Sequence, residues 1–232
     1  MVRIEDIPKP ITIKIDRSPK VHPQADAVDA AWQELCAKNP RYFNGQMLAF
    51  DSYDPATGVI HASAEEYKYH AVRDTVDAGI TLLAVTAILV GIDSKQSEPM
   101  YLIGKRSPKL HRYGGLWELG PSGGVDVPGD GDMLDQDQII AEAAREVREE
   151  VDLQLSDIPA KFVALVHDHA VGSTDIAIEL EIGPVLPLQH NWEYSEIKWV
   201  LKHELGQWIR NNPDDFIPTT VALIEFLEQS AG

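Results

Sequence analysis

Three glutamates and an arginine stand close together near the middle of the 232-residue chain, at Arg145, Glu146, Glu149 and Glu150. On a helix, at about 100° per residue, these glutamates fall on one face, beside the apolar stripe. Like charges three and four residues apart destabilise a helix by roughly 0.2–0.5 kcal/mol per pair, and a bound cation would reverse that effect. Because Mg²⁺ prefers oxygen ligands, the cluster predicts a divalent metal site.

The acidic run has a second interpretation, and its upstream context decides between the two. A solvated helix face, with Arg145 and Glu149 as an ordinary i,i+4 ion pair, is favoured when the run is taken alone. However, residues 107–137 are rich in Gly, Pro and Asp and show no sustained hydrophobic period, as is typical of loops that carry a site. Within them Gly123 and Gly124 follow the apolar and aromatic residues 116–119. This context favours the metal site.

The glycine loop and the acidic helix together resemble the Nudix box. That family's pattern is a glycine, five residues, a glutamate and seven residues, followed by Arg-Glu, an aliphatic residue, any residue, Glu-Glu, any residue, glycine and an aliphatic residue. Residues 145–153 match every specified position of the second half except the glycine, where Asp152 stands. Aspartate tolerates the left-handed conformation at a helix end, so we expect the turn to be retained.

The first half of the box departs further from the pattern. Five residues separate Gly124 from the acidic position, Asp130, and 14 residues then separate Asp130 from Arg145, seven more than in the family. A second frame, from Gly131 to Asp137, keeps the family's spacing but abandons the glycine pair that opens the box. We prefer Asp130 as the box acidic position, with Asp137 as the alternative. Either carboxylate would brace the box arginine.

The resemblance implies a fold and a reaction. The expected fold is α/β, a Nudix-like α/β/α sandwich with a mixed β-sheet, in which residues 78–232 form the hydrolase domain. The expected reaction is Mg-dependent hydrolysis of the pyrophosphate bond of a nucleoside diphosphate linked to another group. ADP-ribose, NADH or another nucleotide is an alternative substrate. A non-catalytic Nudix-fold module that binds or senses a nucleotide is an alternative function.

The resemblance also implies roles for the box residues. The three box glutamates would bind Mg²⁺ or Mn²⁺, and Arg145 would orient their carboxylates. Glu149 or Glu150 would act as the general base, although in this family the base can also come from a later loop. The pair Gly123 and Gly124 would contact the substrate.

The charge of the chain limits its partners. A net charge of −17, from 37 acidic and 20 basic residues, opposes surface binding to nucleic acid or to anionic lipid. The expected partner is a small-molecule nucleotide, with a homodimer left open. Such a substrate needs local positive charge, and Arg106 is the predicted phosphate-binding side chain, against an equal alternative of a solvated basic loop. Its neighbours in this basic cluster are Lys105, Lys109 and Arg112.

The sequence also indicates a compartment. Cys36 is the sole cysteine, so no disulfide can form within the chain. Residues 1–16 lack the continuous apolar segment of a secretory signal, and the longest apolar stretch, 80–92, falls short of the roughly 20 residues that span a bilayer. We therefore predict a cytoplasmic protein.

Residues 1–77 are predicted to form an N-terminal extension containing a β-hairpin and a helix. Within it, residues 39–45, with Tyr67 and Arg73, resemble the corresponding region of a Nudix branch that hydrolyses UDP-glucose and UDP-galactose to UMP and a sugar 1-phosphate. The resemblance implies that the extension sets substrate choice or dimerisation. The hydrophobic periods of the extension predict a strand, a helix, two hairpin strands and a helix at 11–15, 25–38, 46–52, 59–64 and 67–76.

The remaining periods predict the elements around the box. Strands are expected at 80–90, 100–104, 162–169 and 176–182, and helices at 139–151, 202–210 and 218–227. His167 and His169 share a face of one strand, and we interpret them as half-exposed strand residues in preference to substrate contacts. Trp117 is interpreted as a core residue in preference to a stacking platform.

Overall fold

The computed structural model describes residues 1–93 and 98–230, so residues 94–97 and 231–232 of the predicted hydrolase domain lie outside the described ranges. Within those ranges twelve strands form one mixed sheet, which is accompanied by five α-helices and a short 3-10 turn. The strands are β1 (Val2–Asp6), β2 (Thr12–Asp16), β3 (Gln46–Asp54), β4 (Val59–Glu66), β5 (Leu82–Ile92), β6 (Pro99–Arg106), β7 (Trp117–Leu119), β8 (Ser122–Gly124), β9 (Met133–Leu134), β10 (Ala160–Asp168), β11 (Ser173–Pro184) and β12 (Tyr194–Leu201). The helices are α1 (Ala25–Lys38), α2 (Tyr67–Ala71), α3 (Gln136–Val151), α4 (Lys202–Asn211) and α5 (Pro218–Ser230), with the 3-10 turn at Pro213–Asp215.

Strand β5 is the centre of the sheet. It pairs in parallel with β11 and antiparallel with β3, β6 and β8. Most of its residues are buried, as expected of a strand covered on both faces, which explains its nearly continuous apolar sequence. The strand predicted at 80–90 is therefore confirmed.

Helices cover both faces of the sheet. On one face α3 packs through Ile139, Ala143, Val147 and Val151, all of them fully buried. A second core on the other side is built from α4 and α5, which pack against β1, β6 and β10. The predicted α/β/α arrangement with a mixed sheet is confirmed. None of the helices in the described ranges is long and apolar enough to cross a membrane.

The strands of the N-terminal extension belong to the same sheet. Strand β1 pairs with β10, the β3–β4 hairpin meets β5 at Ala49, and β2 pairs with β4 and β9. Ile13, Leu48 and Ile60 belong to the core that also contains the apolar face of α3. The hairpin and helix predicted for residues 1–77 are present. The hairpin shares the core of α3, whereas α1 packs through Val28 in a separate cluster with Tyr69 and Val72.

Some elements differ from their sequence-based prediction. The helix predicted at 67–76 ends at Ala71, because the β-branched Thr75 and Val76 that follow weaken a helix. Strands β1 and β12 were not predicted. Strands β7, β8 and β9, within the predicted loop region, have three residues or fewer, which is too short for a hydrophobic period.

Candidate active site

Helix α3 has well-defined ends that fix the direction of its glutamates. Asp135 caps its start, where its side chain accepts from the backbone N–H of Gln138 at 2.9 Å and the Gln138 side chain accepts from the Asp135 N–H at 3.0 Å. At the other end Asp152 adopts the left-handed conformation, with φ 53° and ψ 35°. The expected tolerance of aspartate at the box glycine position is confirmed.

The glycine loop and the box helix meet at Glu146. Strand β8 places Gly123 opposite Val85 of β5, directly beneath the carboxylate of Glu146, which is 8% exposed. A Cβ atom at Gly123 would lie 2.3 Å from Cδ of Glu146. The absence of a side chain at residue 123 therefore makes room for this carboxylate.

Arg145 ties the box carboxylates to the loop. Its Nη2 donates to the Gly124 carbonyl at 3.1 Å and to Glu142 at 2.9 Å, and it lies 2.8 Å from Oε1 of Glu146. Its Nη1 lies 3.5 Å from Glu149. The arrangement gives Arg145 the geometry needed to orient the carboxylates of α3.

The acidic partner of Arg145 is not the one that the sequence indicated. Glu142 and, at 3.7 Å, Asp126 face its guanidinium, whereas Asp130 and Asp137 are both exposed. The seven-residue insertion explains this difference, because its end forms β9 and pairs with β2. The Ile15 N–H also donates to the Asp132 carbonyl at 2.8 Å. Asp137 lies eight residues before the arginine, about 12 Å along the helix axis.

A second buried carboxylate of α3, Glu150, lies near an ion pair between Arg106 and Glu118 that the sequence did not predict. Glu118 of β7 is 2% exposed, and Nη1 of Arg106 donates to both of its carboxylate oxygens, at 2.7 and 2.8 Å. Burial raises the pKa of Glu150 well above its usual range, and the charge of Glu118 raises it further. Burial also raises the pKa of Glu118, against the opposing effect of Arg106.

The segment before β12 connects these groups. The Asn191 backbone N–H donates to the Glu150 carbonyl at 2.8 Å, and its side chain donates to the Glu149 carbonyl at 3.1 Å. Next to it, the Glu193 carbonyl accepts from the Ser107 N–H at 2.6 Å, and burial raises the pKa of the Glu193 carboxyl. The C-terminal carbonyls of α3 are thereby satisfied, and Glu193 is held beside the site.

The buried carboxylates fit a divalent cation by their chemistry. Burial raises the pKa of Glu146 to about 7, so both buried box glutamates lose hydration that a cation could replace. Mg²⁺ is commonly held by one or two carboxylates with waters and substrate phosphate. Within the described ranges, however, no three His, Cys, Asp or Glu side chains converge on one point. Glu149, half exposed, turns towards Arg145 and Arg148.

The predicted basic cluster separates into different roles. Arg106, the predicted phosphate ligand, is largely buried and is an internal partner of the buried Glu118, so its contact with phosphate stays a prediction. Arg112 pairs with Asp74 at 2.7 Å. Lys109 is exposed and, among the described residues, has no ion-pair partner. Lys109 therefore contributes unpaired positive charge that is available to a substrate.

A cavity of about 830 Å³ lies between α1, α2 and the loop that follows β6. Arg106 lies in its wall and also contacts the buried Glu118, so this ion pair connects the cavity to the carboxylates of the box. We call it the cationic cavity. Its aromatic and basic lining includes Arg41, Tyr42, Tyr67, Lys109, Arg112 and Trp192.

The other side chains singled out in the sequence serve the core. His167 is buried and bonded to Thr174 at 2.9 Å, so the interpretation of it as half-exposed is wrong, whereas His169 is exposed. Trp117 is buried against Trp208, which confirms its interpretation as a core residue.

Three residues near the buried box glutamates, Glu118, Glu193 and Tyr194, were not predicted from the sequence. Glu118 had a weak signal, as a lone carboxylate between Trp117 and Leu119 in an otherwise apolar run. Glu193 and Tyr194 had none, because they join the site through the fold about 40 residues after the box.

Comparison with known proteins gives structural matches alone. No family model and no curated protein sequence matches this chain. Among similar solved structures, a Nudix hydrolase from M. smegmatis, RenU, is 19% identical over 64% of this chain and 84% of its own, with a TM-score of 0.47. The NUDIX domain of Shewanella oneidensis NrtR, complexed with ADP ribose, is 19% identical over 66% of this chain and 89% of its own, with a TM-score of 0.47. A C. elegans Ap4A hydrolase is 13% identical over 65% of this chain and 98% of its own, with a TM-score of 0.45. At these identities the similarity concerns the backbone and carries no information on substrate.

Substitution of Gly123 by alanine is expected to lower activity far more than stability. The new Cβ would displace the Glu146 carboxylate, which can rotate away, so we expect a change in unfolding free energy below about 1 kcal/mol and a loss of Mg²⁺-dependent turnover of about tenfold or more. Urea unfolding and steady-state kinetics measure the two effects. Gly129→Ala is the matched control, because a Cβ atom at residue 129 would meet nothing within 4 Å. Equal losses of activity in both variants would contradict the prediction.

Proposed function

We propose that this chain is an Mg²⁺-dependent Nudix-type hydrolase that cleaves the pyrophosphate bond of a nucleoside diphosphate linked to another group. The observation that carries the proposal is the pair of buried carboxylates, Glu146 and Glu150, on a box helix whose glycine loop makes room for one of them. The ion pair between Arg106 and Glu118 connects these carboxylates to a cavity whose lining includes several cations, in an otherwise acidic chain. This combination fits a substrate of two phosphates and a metal.

The proposed division of work follows from the contacts. A bound Mg²⁺ would supply charge neutralisation of the diphosphate and activation of water. Arg145 holds Glu146 against the loop, and Arg106 holds Glu118 close to Glu150. Glu149 remains the more accessible box carboxylate for accepting a proton from water, with Glu193 as the alternative base from a later loop. Lys109 would offset the negative charge of the diphosphate as it enters.

The N-terminal extension contributes residues to the cavity, which supports a role for it in substrate choice. Residues 39–45, which resemble the UDP-sugar branch, contribute Asn39, Arg41 and Tyr42 to the cationic cavity. UDP-glucose and UDP-galactose are therefore the first candidate substrates, ahead of ADP-ribose and NADH. We also keep a cytoplasmic location, which the lone Cys36 supports, and a homodimer as predictions.

A substrate panel tests the proposed function. Phosphate-linked product release is measured with Mg²⁺ or Mn²⁺ for UDP-sugars, ADP-ribose, NADH, dinucleoside polyphosphates and nucleoside triphosphates. We expect turnover of at least one member, lost on chelation of the metal, with UMP and a sugar 1-phosphate as products if a UDP-sugar is the substrate. No turnover of any member with either metal would remove the proposal.

A non-catalytic nucleotide-binding module is the second candidate. It is favoured by the ion pair between Glu146 and Arg145 and by the lack, within the described ranges, of three convergent metal ligands. Binding of a nucleotide without turnover would support it. Thermal unfolding with and without Mg²⁺ can be measured for both candidate functions. An ion that binds only the native state raises the melting temperature. A hydrolase of the proposed kind would show both the rise and turnover.

A further inference from the structure

Trp192 has an environment unlike that of an ordinary tryptophan. Its side chain is 54% exposed, although tryptophan is usually well buried, and it lies at the wall of the cationic cavity. Trp32, Trp117, Trp199 and Trp208 are all buried or partly buried. An exposed indole beside a cavity offers a flat apolar surface to a ligand.

Arg41 lies over the same ring. Its Cζ is 5.3 Å from the Trp192 ring centroid, within the range of a cation–π contact. Among the described residues Arg41 has no ion-pair partner, so its charge is available to the cavity. Tyr42 and Tyr67 line the cavity near it, and each makes an edge contact with Trp32, at 6.0 and 6.4 Å between centroids.

The backbone fixes Trp192 relative to the buried carboxylates. On one side Asn191 is bonded to the carbonyls of Glu149 and Glu150 at the end of α3. On the other side the Glu193 carbonyl is bonded to Ser107, in the loop that forms the cavity wall. A group stacked on Trp192 would therefore be held in a defined position next to the box.

We infer that Trp192 and Arg41 form a platform for the nucleobase of the substrate, so that the protein selects nucleoside diphosphates over diphosphates without a base. The inference rests on the proposed function and deepens it. A nucleobase matches the platform because it is flat, aromatic and polarisable, and it stacks on an indole or beside a guanidinium. A prenyl chain lacks these features and would meet the unpaired charges of Arg41 and Lys109.

Equilibrium binding to the full chain tests the platform. UMP, AMP and ribose 5-phosphate are titrated calorimetrically into the wild type, Trp192→Ala and Trp192→Phe. Base stacking predicts that Trp192→Ala weakens UMP or AMP binding about tenfold or more, with ribose 5-phosphate unchanged. Trp192→Phe should restore most of the lost affinity, because it keeps an aromatic face. Val21→Ala is the control, since Val21 is an apolar residue that is 93% exposed and does not line the cavity, and it should leave all affinities unchanged.

Several results would overturn the platform. An equal loss of ribose 5-phosphate binding in Trp192→Ala would indicate a sugar or phosphate contact, and unchanged nucleotide binding would remove the role of the ring. Failure of both nucleotides to bind the wild type at millimolar concentration would have the same consequence. The substrate panel distinguishes a failure of the platform from a failure of the hydrolase proposal. Turnover with Trp192-independent binding rejects the platform alone, whereas Trp192-dependent binding without turnover rejects hydrolysis alone.

Discussion

Glu150→Gln is expected to lower Mg²⁺-dependent kcat by about 100-fold or more while leaving the protein as stable as the wild type or more so. In the proposed site the Glu150 carboxylate would hold the metal that neutralises the diphosphate, so its loss would remove an interaction on the scale of several kcal/mol. Stability should not fall, because Glu150 is 4% exposed, and burial and the nearby Glu118 already disfavour its charged form. Steady-state kinetics and urea unfolding at the same pH measure the two quantities.

The matched control for this variant is Glu225→Gln. Glu225 is an exposed residue of α5, on the side of the sheet away from the box helix, so its substitution should change neither quantity. The Mg²⁺-induced rise in melting temperature should also shrink in Glu150→Gln and persist in the control. Full activity in Glu150→Gln would remove Glu150 from the metal site.

Arg106→Ala is expected to destabilise the protein by about 3–5 kcal/mol, because it leaves Glu118 buried without its partner. The loss belongs to an interior ion pair and is not the effect expected of a surface phosphate ligand. Urea unfolding gives the change in free energy. Lys109→Ala, which removes an exposed cation from the same loop, is the control and should stay within about 0.5 kcal/mol.

A double-mutant cycle tests whether the unpaired Glu118 carboxylate causes the loss of stability in Arg106→Ala. If the cost arises from the unpaired Glu118 carboxylate, Arg106→Ala combined with Glu118→Gln should recover a large part of the stability. Lys109→Ala should instead raise KM for a diphosphate substrate. A stable Arg106→Ala protein with a raised KM would instead support the prediction that Arg106 binds substrate phosphate.

The sequence predicted those parts of the molecule in which local pattern and tertiary structure agree. The apolar stripe of α3 and the continuous apolar run of β5 are dictated by burial, so periodicity located both. The left-handed Asp152 was predictable because its conformation depends on its own backbone chemistry. Most helices and long strands follow the same rule.

The rest depends on contacts between distant segments, which a single sequence does not encode locally. Arg106 looked like a solvent-facing cation, and its burial against Glu118 becomes visible once β6 and β7 are paired. The partner of Arg145 was misplaced for a similar reason, because the insertion forms β9 and leaves Glu142 and Asp126 beside the arginine. The role of Trp192 depends on a cavity assembled from both ends of the chain.

The pairing of β9 with β2 limits how the molecule can be shortened. Strand β2 supplies Ile13 and Ile15 to the main core and anchors the end of the box insertion through Ile15 and Arg17. Cutting the chain at residue 78 would therefore expose apolar surface and release the segment that leads into the box helix. We therefore expect the smallest folding unit that contains the box to include the N-terminal strands.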